Sequence, residues 1–110
     1  MIIKESFLVH GKVQAIMFRQ TFVRGLLRRG LLGGATNNRD NHSEVACSVE
    51  GEAKSIEELK GALLGLEKLN SWGSKVEEII PCDYFPYTQH EVTTENVDSK
   101  KWTPGVEFYL

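Results

Sequence analysis

The segment Val9-His-Gly-Lys-Val-Gln-Ala-Ile-Met-Phe-Arg19 sets the plan of the chain, because the apolar period changes across it from two to nearly four residues. On its N-terminal side, residues 5–13 read as a strand, with Phe7 and Val9 on one face and Ser6, Leu8 and His10 on the other. Gly11 breaks the pattern. On its C-terminal side, Phe18, Phe22 and Leu26 recur four apart, with Val23 and Leu27 beside them and Arg24 and Arg28 on another face. This predicts a helix over 18–29, stopped by Gly30. A turn at such a strand-to-helix junction gathers backbone N–H groups in one concavity, with the positive end of the helix dipole behind them. Arg19 adds a planar guanidinium able to hold two phosphate or carboxylate oxygens at once. Residue types alone fit either a phosphate-sized pocket or an ordinary turn with a solvated arginine.

The remaining elements follow from local patterns. Residues 31–36 can form a short second strand, weakened by Gly33 and Gly34. A polar cluster over 37–43 turns the chain, and 44–50 alternates Val45, Cys47 and Val49 against Ala46 and Ser48, so the two strands read as a hairpin. Gly51 ends the second of them. Ser55 and Glu58 have the spacing of a capping box for a helix carrying Ile56, Leu59, Leu63 and Leu66. Residues 75–82 are a further strand candidate, and 105–110, with Val106, Phe108 and Leu110, a terminal one. The stretch 83–104 between them is polar and poorly periodic, although its aromatic residues would let it pack as an extended strand with a loop. The expected architecture is an α+β, ferredoxin-like split β-α-β sandwich: a small antiparallel sheet with two helices on one face and an extra C-terminal strand.

Composition narrows the function classes. The 110 residues suffice for one domain spanning 1–110, and no apolar run approaches the ~20 residues needed to cross a bilayer, so no membrane partner is expected. Met1 is not followed by a basic and then apolar leader, which makes the cytoplasm the expected location. Cys47 and Cys82 are too few for a disulfide scaffold and are expected to be packed thiols. His10, His42 and His90 lack ligand spacing, so neither a metal nor another cofactor is expected. Charge is distributed unevenly: residues 1–39 hold seven Lys/Arg against the single acid Glu5, a net +6, whereas 40–110 hold six against fourteen, a net -8. The positive part surrounds the opening segment and favours an anionic ligand there, although a nucleic-acid patch would show the same asymmetry.

The segment VHGKVQAIMFR, with Asn37 eighteen residues after Arg19 and Gly30 and Gly33 between them, then Val45 and Gly51, resembles the acylphosphatase family over nearly the whole chain. The resemblance implies a phosphate loop formed by Gly11, Lys12, Val13, Gln14, Ala15 and Ile16, a phosphate-binding Arg19 and a water-positioning Asn37. It also implies hydrolysis of acyl phosphates to a carboxylate and phosphate without metal or covalent intermediate. The expected partners are a small-molecule acyl phosphate and phosphate, with no nucleic acid, and the expected state is a monomer. The chain departs from the family pattern in the site itself. Ala15 and Gly34 stand where the family has a glycine and an aromatic residue, Ile16 is a milder change, and the turn after Asn37 is about two residues longer and lacks its glycine. If position 15 needs a positive φ, the alanine costs on the order of 1 kcal/mol; if it is right-handed, only a methyl group is added.

The residues leave other readings open. A non-catalytic relative could keep the fold and bind phosphate. A module related to larger carbamoyl-phosphate enzymes could share it too. An RNA-binding sheet of similar topology would stack bases on sheet aromatics, and the middle strand over 45–50 has none. Arg24, Arg28 and Arg29 read as a solvated helix face, with Lys12 at the rim of the pocket.

Overall fold

Alternation along the first strand sends Phe7 and Val9 to one side, and the pairing of the next strands fixes what they meet. In the computed structural model, which describes residues 1–100 and 102–110, the chain runs β1 (Ile2–Lys12), α1 (Phe18–Arg28), β2 (Leu32–Asn37), β3 (Glu44–Glu52), α2 (Ala53–Gly65), β4 (Lys75–Cys82) and a short β5 (Val92–Thr93). Single 3-10 turns lie at Tyr87–Gln89 and Val97–Ser99. The five strands form one sheet in the order β4-β1-β3-β2-β5, with every neighbouring pair antiparallel. Register places Phe7 opposite Cys47, Val9 opposite Val45 and Ala35 opposite Cys47, so one face of the three central strands is apolar.

Both helices cover that face. Phe18, Phe22, Val23 and Leu26 of α1 and Ile56, Leu59 and Leu63 of α2 join the strand residues in one buried cluster. Phe22 is central to it, meeting Phe7 edge to face at 6.2 Å between ring centroids and stacking on Phe18 at 5.8 Å. Truncating such a ring to alanine costs about 3–5 kcal/mol. The expected α+β sandwich is therefore the observed one.

Several local expectations are corrected. No capping box forms at Ser55, because β3 continues to Glu52 in register with Ile2 and α2 starts at Ala53, whose N–H is accepted by the Met1 carbonyl. The extra strand is not 105–110, where an isolated bridge between Asn70 and Phe108 is the only sheet-type pairing among the described residues; it is β5, inside the 83–104 stretch, paired with β2. The end of the chain instead turns inward. Leu110 is buried against Gly25, where even a Cβ would come within 2.9 Å of its side chain, and its carbonyl oxygen accepts from Arg28 and Arg29. Arg29 also pairs with Glu58, and Arg24 with Asp98, so these arginines are pins between elements rather than a solvated face. Cys47 is buried in the core, but Cys82 is exposed on β4, an edge strand.

The opposite face of the sheet is polar at its centre and is covered by the stretch after β4. The Ser6 and Ser48 hydroxyls are 2.7 Å apart, and Ser48 Oγ donates to the Phe85 carbonyl at 2.8 Å. His90 bridges Ser48 through Nε2 at 2.8 Å and Thr36 through Nδ1 at 2.9 Å. Burial pushes the His90 pKa down to about 4, against a smaller upward pull from Glu91. His90 is thus neutral in the folded protein between about pH 4 and 6.5, where the unfolded chain takes up a proton. Its stabilising contribution is complete above about pH 6.5 and is lost as the pH falls toward 4, at no more than about 1.4 kcal/mol per pH unit for one proton. His10, held between Glu44 and Glu78 with its pKa raised chiefly by Glu44, contributes in the opposite sense. Site-resolved NMR titration is expected to show His90 protonating near pH 4 and His10 above its usual value, and urea unfolding to show a loss at low pH that follows the His90 curve.

Candidate active site

The loop between β1 and α1 begins with a kink. Register between β1 and β4 shifts at His10/Gly11, and a Cβ at Gly11 would lie 2.3 Å from the Lys75 carbonyl oxygen, so the close approach that starts the loop requires glycine. Beyond it, Ala15 at φ 64° and Met17 at φ 62° are the only non-glycine residues among those described with positive φ. Residues 14–17 therefore alternate in the sign of φ. Such alternation turns successive N–H groups toward one side and forms an anion-binding nest, here directly before the N-terminus of α1.

Hydrogen bonding supports that description. Among the described residues, nothing accepts from the N–H groups of Gln14, Ala15, Ile16 or Met17. The loop is held instead by its carbonyls and one side chain. Ser74 Oγ donates to the Lys12 carbonyl at 3.1 Å, Asn70 Nδ2 to that of Ile16 at 2.9 Å, and Thr21 Oγ1 to that of Met17 at 2.7 Å. Gln14 Nε2 reaches the Asn38, Asn41 and Glu44 carbonyls at 2.8, 3.1 and 2.9 Å, which ties the loop to the turn between β2 and β3. The extra length of that turn is folded back by Asn38 and Asn41, whose side chains accept from the N–H groups of Asp40 and Ser43.

A cavity of about 700 Å³ opens beside the nest, lined by Val13, Ala15, Arg19 and Asn37 together with Glu91 and others. Arg19 Nη1 donates to Glu91 Oε1 at 3.0 Å, and the same oxygen accepts the Asn37 N–H at 3.1 Å. One carboxylate thus links the two residues singled out from the sequence. Among the described residues, Arg19 has no other acceptor, which leaves the rest of its guanidinium donors free. Asn37 Oδ1 is buried and, among the described residues, accepts no hydrogen bond. Such an atom costs free energy unless something donates to it, and is a functional signal.

Of the residues assigned to the phosphate loop from sequence, Val13 and Ala15 line the cavity, whereas Gly11, Lys12, Gln14 and Ile16 stand outside its wall. Gly11 spends its N–H on the Ser43 carbonyl, and Gln14 acts as the clamp just described. The sequence reading missed Glu91 and Asn70. Glu91 lies in a stretch with no periodicity, and only the pairing of β5 with β2 brings it to Arg19. Asn70 is fully buried and makes four bonds: to Ile16 and Thr21 through its amide nitrogen, and from the Trp72 and Ser74 N–H groups through its oxygen. A lone asparagine in a loop carries no sequence signal for that role.

The left-handed conformation at Ala15 decides the question left by its methyl group. Side-chain strain there, on the order of 1–2 kcal/mol, exceeds the roughly 0.4–1 kcal/mol by which glycine loosens the unfolded chain. Ala15→Gly is therefore expected to stabilise the protein by about 0.5 kcal/mol in urea unfolding, with the loop conformation unchanged.

The family model described as acylphosphatase matches residues 5–86. No curated protein sequence matches the chain. Among solved structures, the acylphosphatase from Bacillus subtilis is 23% identical with a TM-score of 0.60, over 84% of this chain and 94% of that one. An acylphosphatase from Coxiella burnetii is 24% identical with a TM-score of 0.58, over 76% and 86%. T. kodakarensis HypF, a much longer protein of which the match covers 11%, is 24% identical over 82% of this chain, with a TM-score of 0.60. These structures share the fold, and the family model covers most of the sequence: the chain belongs to the acylphosphatase family.

Proposed function

We propose that the protein hydrolyses acyl phosphates to a carboxylate and inorganic phosphate. The observation that carries the reading is the meeting at one cavity of Ala15 and Met17 of the nest, Arg19 and Asn37, with N–H groups, guanidinium donors and an amide oxygen that have no partner among the described residues. The nest and Arg19 would bind the phosphoryl oxygens and neutralise their charge, which is the larger part of catalysis when the leaving group is already good. A carboxylate leaving group needs no proton. The attacking water would donate one hydrogen bond to Asn37 Oδ1, which orients a lone pair toward phosphorus. Its oxygen bonds to phosphorus as the bond from phosphorus to the acyl oxygen breaks, and the electron pair leaves with the carboxylate. An amide is a poor base, so the proton passes to a phosphoryl oxygen.

Glu91 has a positioning role in this reading. It fixes one arm of Arg19 and the backbone of Asn37, at the cost of a carboxylate near a bound phosphate. The unspent N–H groups and the remaining guanidinium donors offset that repulsion.

Continuous assay of benzoyl phosphate, with and without a chelator, tests the proposal. Arg19→Ala and Asn37→Ala are each expected to lower kcat by roughly a hundredfold or more, the loss typical of a missing oxyanion donor. Activity that survives Arg19→Ala would sink the site assignment. For Glu91→Ala the expected change is about a tenfold rise in KM with a smaller fall in kcat. Glu91→Gln, whose amide oxygen can still accept from both partners, should restore most of the loss.

A further inference from the structure

The cavity is far larger than a phosphoryl group requires, and apart from Gln20, Lys100 and Thr103 its remaining walls are apolar or aromatic. The chain has two tryptophans, Trp72 and Trp102, and both line this cavity along with Met17, Val92 and Phe18. They come from separate segments and are 45% and 39% exposed. Large aromatic side chains left this open at the edge of a polar site are a recognition signal rather than core packing.

Both residues are tied to neighbouring elements. Trp72 follows Asn70, whose oxygen accepts the Trp72 backbone N–H at 3.0 Å while its nitrogen holds the Ile16 carbonyl, so the main chain that carries the indole is fixed relative to the nest. Trp102 lies under the guanidinium of Arg24, 5.1 Å from its ring centroid, and 6.5 Å from the ring of Phe108. A preorganised aromatic wall offers contact without the entropy cost of ordering it on binding.

We infer that the cavity selects acyl phosphates with a flat, aromatic acyl group of about benzoyl size: the phosphoryl end sits on the nest and Arg19, and the acyl end lies against Trp72 and Trp102. This rests on the acyl phosphate reading of the same site and adds the substrate class to it. A volume of about 700 Å³ has room to spare for such a ligand, whereas an acetyl group would leave the indoles uncovered.

Calorimetric titration with benzoylphosphonate and acetylphosphonate, whose C–P bond the reaction does not cleave, separates binding from turnover. Wild type is expected to bind the benzoyl compound roughly tenfold more tightly, and Trp72→Ala and Trp102→Ala each to reduce that preference about threefold or more. Phenylalanine at either position should recover most of it and guards against a misfolded alanine variant. The benzoyl to acetyl phosphate ratio of kcat/KM should fall in parallel. A wild-type preference below about twofold, or one that neither alanine change alters, overturns the inference even when both substrates turn over. Tryptophan-dependent preference for benzoylphosphonate in a protein that hydrolyses neither substrate would uphold it and reject the hydrolase reading instead. Failure to bind either phosphonate would overturn both.

Discussion

A row of backbone N–H groups that no described residue accepts is open to a ligand or to solvent, and this protein is arranged to keep one. The loop over 14–17 cannot satisfy these donors internally without losing its shape. Every bond that restrains the loop therefore comes through a carbonyl or through Gln14, from α1, from the turn between β2 and β3, and from the segment before β4. The carbonyls are taken by the clamps, and the N–H groups are left without an acceptor among the described residues. The same division explains why left-handed residues are tolerated at positions 15 and 17, since seven hydrogen bonds through carbonyls and Gln14 determine the conformation that their φ angles alone would resist.

Much of this architecture could be read from residue order. The change of period around Gly11 located β1 and α1, and the alternation of Val45, Cys47 and Val49 located β3, because burial on one face leaves a periodic trace. Arg19 and Asn37 were legible because their types and spacing match a family motif. Their relation to one another was not. It passes through Glu91, seventy-two residues from Arg19 in sequence, and a single carboxylate in an aperiodic stretch has no pattern to betray it. The start of α2 was misplaced because a main-chain group caps it: the Met1 carbonyl takes the Ala53 N–H, and a backbone acceptor leaves no mark on side-chain spacing. The apparent solvated arginines were misread for a related reason, because their partners, Leu110, Glu58 and Asp98, are remote in sequence.

The least periodic stretch of the chain turns out to be enabled by a missing side chain. Gly34 lies opposite Ser48 on the polar face of the sheet, and a Cβ there would come within 2.8 Å of both His90 Cβ and the Val92 carbonyl oxygen. Its bareness admits the segment from Tyr87 to Val92 against β2. His90 Cβ and the Val92 and Tyr87 carbonyl oxygens stand where a side chain at position 34 would begin, and the His90 ring lies 4.6 Å from that of Phe85. The bareness of position 34 and the placement of Glu91 beside Arg19 are thus two ends of one packing arrangement. The neutral His90, bonded on both sides, is the peg that holds it.

The placement of the indoles also governs what spectroscopy of this protein reports. Its buried aromatic core is made of phenylalanines, and both tryptophans stand at the cavity. Intrinsic fluorescence is therefore a local probe of the cavity wall, blind to the packing of α1 and α2 on the sheet. Loosening of the segment that carries Trp102 would alter emission while the far-ultraviolet dichroism of the helices stayed native. Unfolding curves from the two signals should coincide only if the cavity wall and the core come apart as one cooperative unit.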